Sequence, residues 1–108
     1  MQITATTEKI LSQVKQLIHQ IEPDAEIILY GSRARDDAAP DSDWDFLILL
    51  NGPVDEVRTN RIRHALYELE WDIGEVLSSI VRDRSKWQTS LYQPTSLYQA
   101  VQKEGVTL

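Results

Sequence analysis

Leu29-Tyr30-Gly31-Ser32-Arg33-Ala34-Arg35, followed six residues later by Ser42-Asp43-Trp44-Asp45, is the stretch around which the rest of this chain organises. Ahead of it, Ala25 to Tyr30 (AEIILY) is short, β-branched and apolar, and it reads as a buried strand that stops at Gly31. Residues 31–42 (GSRARDDAAPDS) are small, polar and turn-forming, so they read as a loop with one helical turn near Arg33–Asp37. Residues 43–50 (DWDFLILL) form a second strand, closed by the turn Asn51-Gly52-Pro53. So short a connection leaves no room for a full crossover helix, which favours a mixed sheet over a doubly wound one.

Outward from this pair the pattern turns helical. Ile10, Val14, Leu17 and Ile21 share one helical face, with Leu11 and Ile18 beside them. Thr6 or Thr7 can cap the start and Pro23 blocks continuation, giving a helix over about 7–22. On the other side Ile62, Leu66, Leu69 and Ile73 mark a second long helix over 54–71, ended near Gly74. Residues 75–81 (EVLSSIV) read as a third strand, Trp87 to Tyr92 as a short helix or loop, and 96–104 as a last helix stopped by Gly105. The fold class is α+β: a small mixed sheet with helices packed on one face, in a single domain over 1–108.

Composition narrows the chemistry. The chain has 108 residues, 42% of them hydrophobic and 26% charged, enough for one modest core. It has no cysteine, so disulfides, thiolate metal sites and thiol catalysis are excluded. Its two histidines, His19 and His64, both read as surface residues. The net charge is −6, which disfavours broad nucleic-acid binding. The acid is uneven: residues 1–54 carry a net −5 and residues 55–108 a net −1. Met1 to Lys9 lacks the apolar core of a signal peptide, and the longest apolar run, Phe46 to Leu50, is too short to span a bilayer. A cytoplasmic setting follows as the expectation.

Read on its own, Gly31-Ser32 after a strand is either a tight turn with a serine cap or a phosphate cradle, in which bare backbone and a hydroxyl approach an anion. Arg33 and Arg35 add positive charge beside it. Asp43 and Asp45 stand at i and i+2, so both carboxylates leave the same face of the strand. They are either a solvated pair before a strand or a seat for Mg²⁺, which prefers carboxylates together with phosphate oxygens. Trp44 faces the opposite side. Arg58, Arg61 and Arg63 give one helix a basic patch, read first as a solvated face. Trp71, Trp87, Tyr92 and Tyr98 read as core or interface.

Taken together, Gly31-Ser32-Arg33-Ala34-Arg35 and Ser42-Asp43-Trp44-Asp45 resemble the signature of the minimal nucleotidyltransferases, the MNT-type antitoxin domains of the polymerase-β-like nucleotidyltransferase superfamily. The motif covers residues 29–50, and the element order carries the resemblance more weakly over about 7–82. Asp36 departs from it, since the family usually has glycine there. The resemblance implies Mg²⁺-dependent transfer of a nucleoside monophosphate, AMP from ATP, to an acceptor hydroxyl. It implies that Gly31, Ser32, Arg33 and Arg35 bind the nucleotide's phosphates. It further implies a third carboxylate beside Asp43 and Asp45, for which Glu70, Asp72 and Glu75 are available. Glu75, opening the third strand, is the one chosen, so that Asp43, Asp45 and Glu75 would be the catalytic and metal-binding set. The setting it implies is a toxin–antitoxin pair with a helical HEPN-type partner whose tyrosine receives the AMP. A domain of the same fold that acts by contact alone, with catalysis weakened by Asp36 and Glu75, is the alternative. So small a domain also leaves room for self-association.

Overall fold

A computed structural model describes residues 4–108, so Met1–Ile3 of the expected domain lie outside it. Helix α1 covers Ala5–Ile21, strand β1 Glu26–Tyr30, the four-residue helix α2 Ser32–Arg35, and β2 Trp44–Leu50. Helix α3 follows over Glu56–Ile73, β3 over Leu77–Asp83, α4 over Arg84–Trp87, α5 over Ser96–Glu104 and β4 over Val106–Thr107.

The sheet is mixed, in the order β3-β2-β1-β4. β1 runs antiparallel to both β2 and β4, and β2 runs parallel to β3. The short β1–β2 link forces the antiparallel pair, and the long α3 crossover permits the parallel one. Every second residue of β2 (Trp44, Phe46, Ile48, Leu50) packs with Val14 and Ile18 of α1 and Ile62 and Leu66 of α3. The alternate residues Leu47 and Leu49 join Ile28, Trp87 and Val101 on the other face. The long helices therefore cover one face as expected, and the other is not bare: α4 and α5 bring Trp87 and Val101 onto it. Trp87 stacks at a tilt against Tyr92 and Tyr98, with ring centroids 5.7 and 5.0 Å apart. Trp71 belongs to neither core, being 75% exposed.

Several boundaries move. Thr4, not Thr6 or Thr7, caps α1, its hydroxyl accepting from the Thr7 N–H. Asp55 caps α3 through the Arg58 N–H, so that helix starts later and runs on to Ile73. β3 begins at Leu77 rather than 75, leaving Glu75 ahead of the strand. β4 is new; two residues are too few to show a period. His19 is half-buried rather than on the surface, its Nε2 being 2.9 Å from the Ala25 carbonyl oxygen. No helix among the described residues is long and apolar enough to cross a membrane.

Arg58, read from sequence as part of a solvated basic patch, is instead a tie between three segments. Its guanidinium holds the two Glu22 oxygens at 3.0 and 2.7 Å and the carbonyls of Asn51 and Pro53 at 2.9 and 2.7 Å. Glu22 ends α1, and the two carbonyls lie in the β2–α3 turn. The hydrogen bond from Arg58, then its charge, holds Glu22 below its ordinary value of 4.5. An Arg58→Ala variant is expected to lose about 1–2 kcal/mol in urea unfolding at pH 7, the range for a charge-assisted pair that is mostly shielded from water. A lowered carboxylate contributes stability above its unfolded value and loses it as pH falls through the folded one. The gap between wild type and variant should therefore shrink below about pH 4.5.

Candidate active site

β1 turns into α2 at Gly31, whose backbone has φ +80° and ψ −162°. That region is essentially closed to residues with a side chain. The Gly31 carbonyl accepts from the N–H groups of Ala34 and Arg35 at 3.0 and 3.1 Å, closing the turn. Space is tight as well: a Cβ on Gly31 would lie 2.6 Å from Asp45 Oδ2, so that carboxylate would have to turn away. One bare Cα thus lets the acid of β2 lie directly against the turn that leaves β1. Ser32 opens α2 immediately beyond it.

Asp45 sits opposite Tyr30 of β1 on one side and Ser78 of β3 on the other. Asp43 lies one residue ahead of β2, and the Ser78 hydroxyl donates to its Oδ2 at 3.3 Å. Trp44 between them is buried with the long helices. Alternation therefore sends Asp43 and Asp45 to the face of Leu47 and Leu49, as the sequence indicated. Asp43 is exposed and Asp45 half-buried. Burial first, then the charge of Asp43, raise Asp45 above its ordinary value; Arg35 opposes this and Glu104 adds to it. Burial, with the charge of Asp45 behind it, also raises the Tyr30 phenol. A half-buried carboxylate crowded by a second one is an arrangement that a divalent cation relieves. Asp43 and Asp45 fit Mg²⁺ on that ground.

Glu75 is not brought to them. It accepts from the Trp44 indole N–H at 3.2 Å and lies 3.7 Å from the Arg33 guanidinium, on the long-helix side of β2. The register explains this: Leu77 pairs with Trp44, and both point into the long-helix core. The β3 residue paired with Asp45 is Ser78. Glu75 is thus corrected from third carboxylate to partner of Trp44 and Arg33. Among the described residues no three His, Cys, Asp or Glu side chains stand together as a metal site. Glu70 and Asp72 lie in the last turns of α3.

The two arginines also separate. Arg33, 17% exposed, donates to the carbonyls of Pro40 and Ser42 and lies 4.4 Å from the centre of the Trp44 ring. It clamps the loop that delivers Asp43, and its guanidinium is occupied there rather than turned to the Asp45 face. Two residues on, about 200° round a helix, Arg35 emerges on the other side. It pairs with Asp37 at 3.0 Å and with Glu104 at 2.9 Å, and its charge is felt at Asp45. Asp36 adopts φ +63° and ψ 26°, the left-handed conformation that aspartate tolerates better than most residues.

Sequence reasoning missed Glu104. It ends α5, 73 residues beyond Gly31, yet its Oε1 accepts the Gly31 N–H at 3.1 Å while its Oε2 holds Arg35. No local pattern announces such a contact. Gly105 is the nearest signal: a Cβ there would meet the Val101 carbonyl oxygen at 2.5 Å and Ile28 at 2.9 Å, so glycine lets the end of α5 press against β1.

The sequence profile of the nucleotidyltransferase domain matches residues 8–102. The chain belongs to that family. Solved structures agree on the fold of this nucleotidyltransferase domain. A toxin–antitoxin crystallised with AMP-PNP superposes with a TM-score of 0.64 at 18% identity, over 89% of this chain and 69% of that one. Two mutant forms of the toxin–antitoxin MntA–HpeT give TM-scores of 0.61 and 0.57 at 16% and 18% identity. They cover 89% and 99% of this chain, and 69% and 72% of theirs. No curated protein matches the sequence.

Proposed function

We propose that this single nucleotidyltransferase domain transfers AMP from ATP, with Mg²⁺, to a hydroxyl on a partner protein, as the antitoxin of a toxin–antitoxin pair in the cytoplasm. The observation that carries the reading is the contact of Asp45 with the Gly31 turn: the carboxylates that would hold a metal and the backbone that would hold phosphates adjoin. The acceptor oxygen forms its bond to the α-phosphorus while the bond to pyrophosphate breaks. Mg²⁺, when bound, supplies a positive charge against which the phosphate oxygens and the acceptor oxygen lose their mutual repulsion. Asp43 and Asp45 would hold that ion. Asp45 would also take the acceptor proton. Gly31 N–H and Ser32 bind the terminal phosphates, and Arg35 offsets their charge. Arg33 positions Asp43 through the loop carbonyls.

A protein acceptor suits a carboxylate pair that is open to the surface, Asp43 being exposed and Asp45 half-buried. The structural neighbours that are toxin–antitoxins support the setting, and a helical HEPN-type toxin is the partner we infer. The test is incubation with the partner and ATP labelled at one phosphate. Label on the α-phosphate should appear on the partner and label on the γ-phosphate should not; labelling by neither sinks the reading. One observation favours a second reading, a module acting by contact alone: Ser78 stands where β3 faces Asp45, with no acid there. Under that reading an Asp43→Asn/Asp45→Asn variant still neutralises its partner.

A further inference from the structure

We propose that Glu104 is a built-in occupant of the phosphate cradle, a carboxylate that nucleotide must displace before it binds. The inference rests on the reading of Gly31 and Arg35 as phosphate ligands. Glu104 uses both its oxygens on those two groups, one on the Gly31 N–H at 3.1 Å and one on Arg35 at 2.9 Å. A carboxylate and a phosphate offer the same chemistry to a backbone N–H and a guanidinium: two anionic acceptor oxygens in one plane. The carboxylate is not a chance surface contact. Its side chain is 13% exposed, and the end of α5 is fixed by Gly105 against Ile28 and by β4 pairing with β1. Glu104 also adds a third negative charge to the field at Asp45, where nucleotide phosphates must approach. Both effects oppose an incoming anion, and both end when the side chain swings off the cradle. α5 thus governs the affinity of the site without taking part in the chemistry.

The experiment titrates ATP with Mg²⁺, and separately inorganic tripolyphosphate, into wild type, Glu104→Gln and Glu104→Asp. Glu104→Gln keeps the shape and removes the charge; it should bind both ligands roughly three- to tenfold more tightly, the gain expected when one partly exposed charge pair stops competing. Glu104→Asp keeps the charge but retracts it by one methylene and should fall between the two. It also serves if the glutamine variant melts early. In wild type the Gly31 amide resonance should move on addition of tripolyphosphate, and Glu104→Gln should move it without ligand. Binding by wild type that is equal or weaker in Glu104→Gln, or that leaves the Gly31 amide unmoved, overturns the role of Glu104 and leaves the nucleotide site standing. Binding only by the variant supports it. No binding by any of the three at millimolar ligand removes the nucleotide site and this inference together.

Discussion

Gly31→Ala is expected to cost about 2–3 kcal/mol of folding stability, since its φ and ψ lie in a region that only glycine enters cheaply. For a domain of this size that is a fall of roughly 10 °C in Tm. The same change should abolish metal-dependent nucleotide binding, for a separate reason. The new Cβ would stand 2.6 Å from Asp45 Oδ2, and the short Asp45 side chain must turn away to admit it. Gly74→Ala is the control. Gly74 also has a positive φ, +71°, but nothing lies within 4 Å of where its Cβ would be. It should lose about 1 kcal/mol, the ordinary penalty of a left-handed residue, and bind nucleotide like wild type. Thermal melts with and without ATP and Mg²⁺ separate the two effects. A Gly31→Ala protein that folds and still binds nucleotide would show that the turn does not form the cradle.

What the sequence discloses here depends on how local the physics is. Periodicity places α1 and α3 to within a few residues, because one buried face of a helix leaves its mark every three or four positions. The Asp43 and Asp45 pair is legible for the same reason: alternation along one strand fixes their common face whatever the neighbours do. Glu75 fails because its role depends on a relation between strands. Alternation groups Glu75 with Leu77 correctly, but only the pairing of Leu77 with Trp44 reveals that this group faces the long helices. No feature of residues 75–81 carries that register. Arg33 and Arg35 look equivalent in a motif, yet a single helical turn sends them to opposite sides. One becomes a clamp on the loop and the other reaches the acids. Arg58 and Glu104 act through partners 36 and 73 residues away, separations at which sequence pattern is silent. The motif thus marks where the chemistry sits, while the residues that hold or restrain it come from the packing of remote segments.

Asp45→Asn should move stability and activity in opposite directions. In the folded chain burial and the Asp43 charge raise Asp45 above its ordinary value of 3.8, so the fold disfavours its ionised form. A group with a raised folded value contributes its stability below the unfolded value and loses it as pH rises through the folded one. At neutral pH the ionised carboxylate is therefore a net cost to the protein without metal. The near-isosteric asparagine removes that cost, and the variant should be modestly more stable at pH 7, by a margin that solvent screening of a partly exposed group keeps small. The advantage should vanish as pH falls toward 3.8, where wild type protonates as well. Addition of Mg²⁺ and ATP should reverse the order, since only wild type gains the stabilisation that a bound ligand confers. Transfer to the partner should fall by about a thousandfold or more, because a metal's charge stabilisation amounts to several kcal/mol and each 1.36 kcal/mol is a factor of ten. Urea unfolding at pH 7 and pH 4, with and without ligand, reads all three signs. A variant less stable than wild type at pH 7 without metal would mean that Asp45 serves the fold, and that the strain between the two carboxylates is not what recruits the cation.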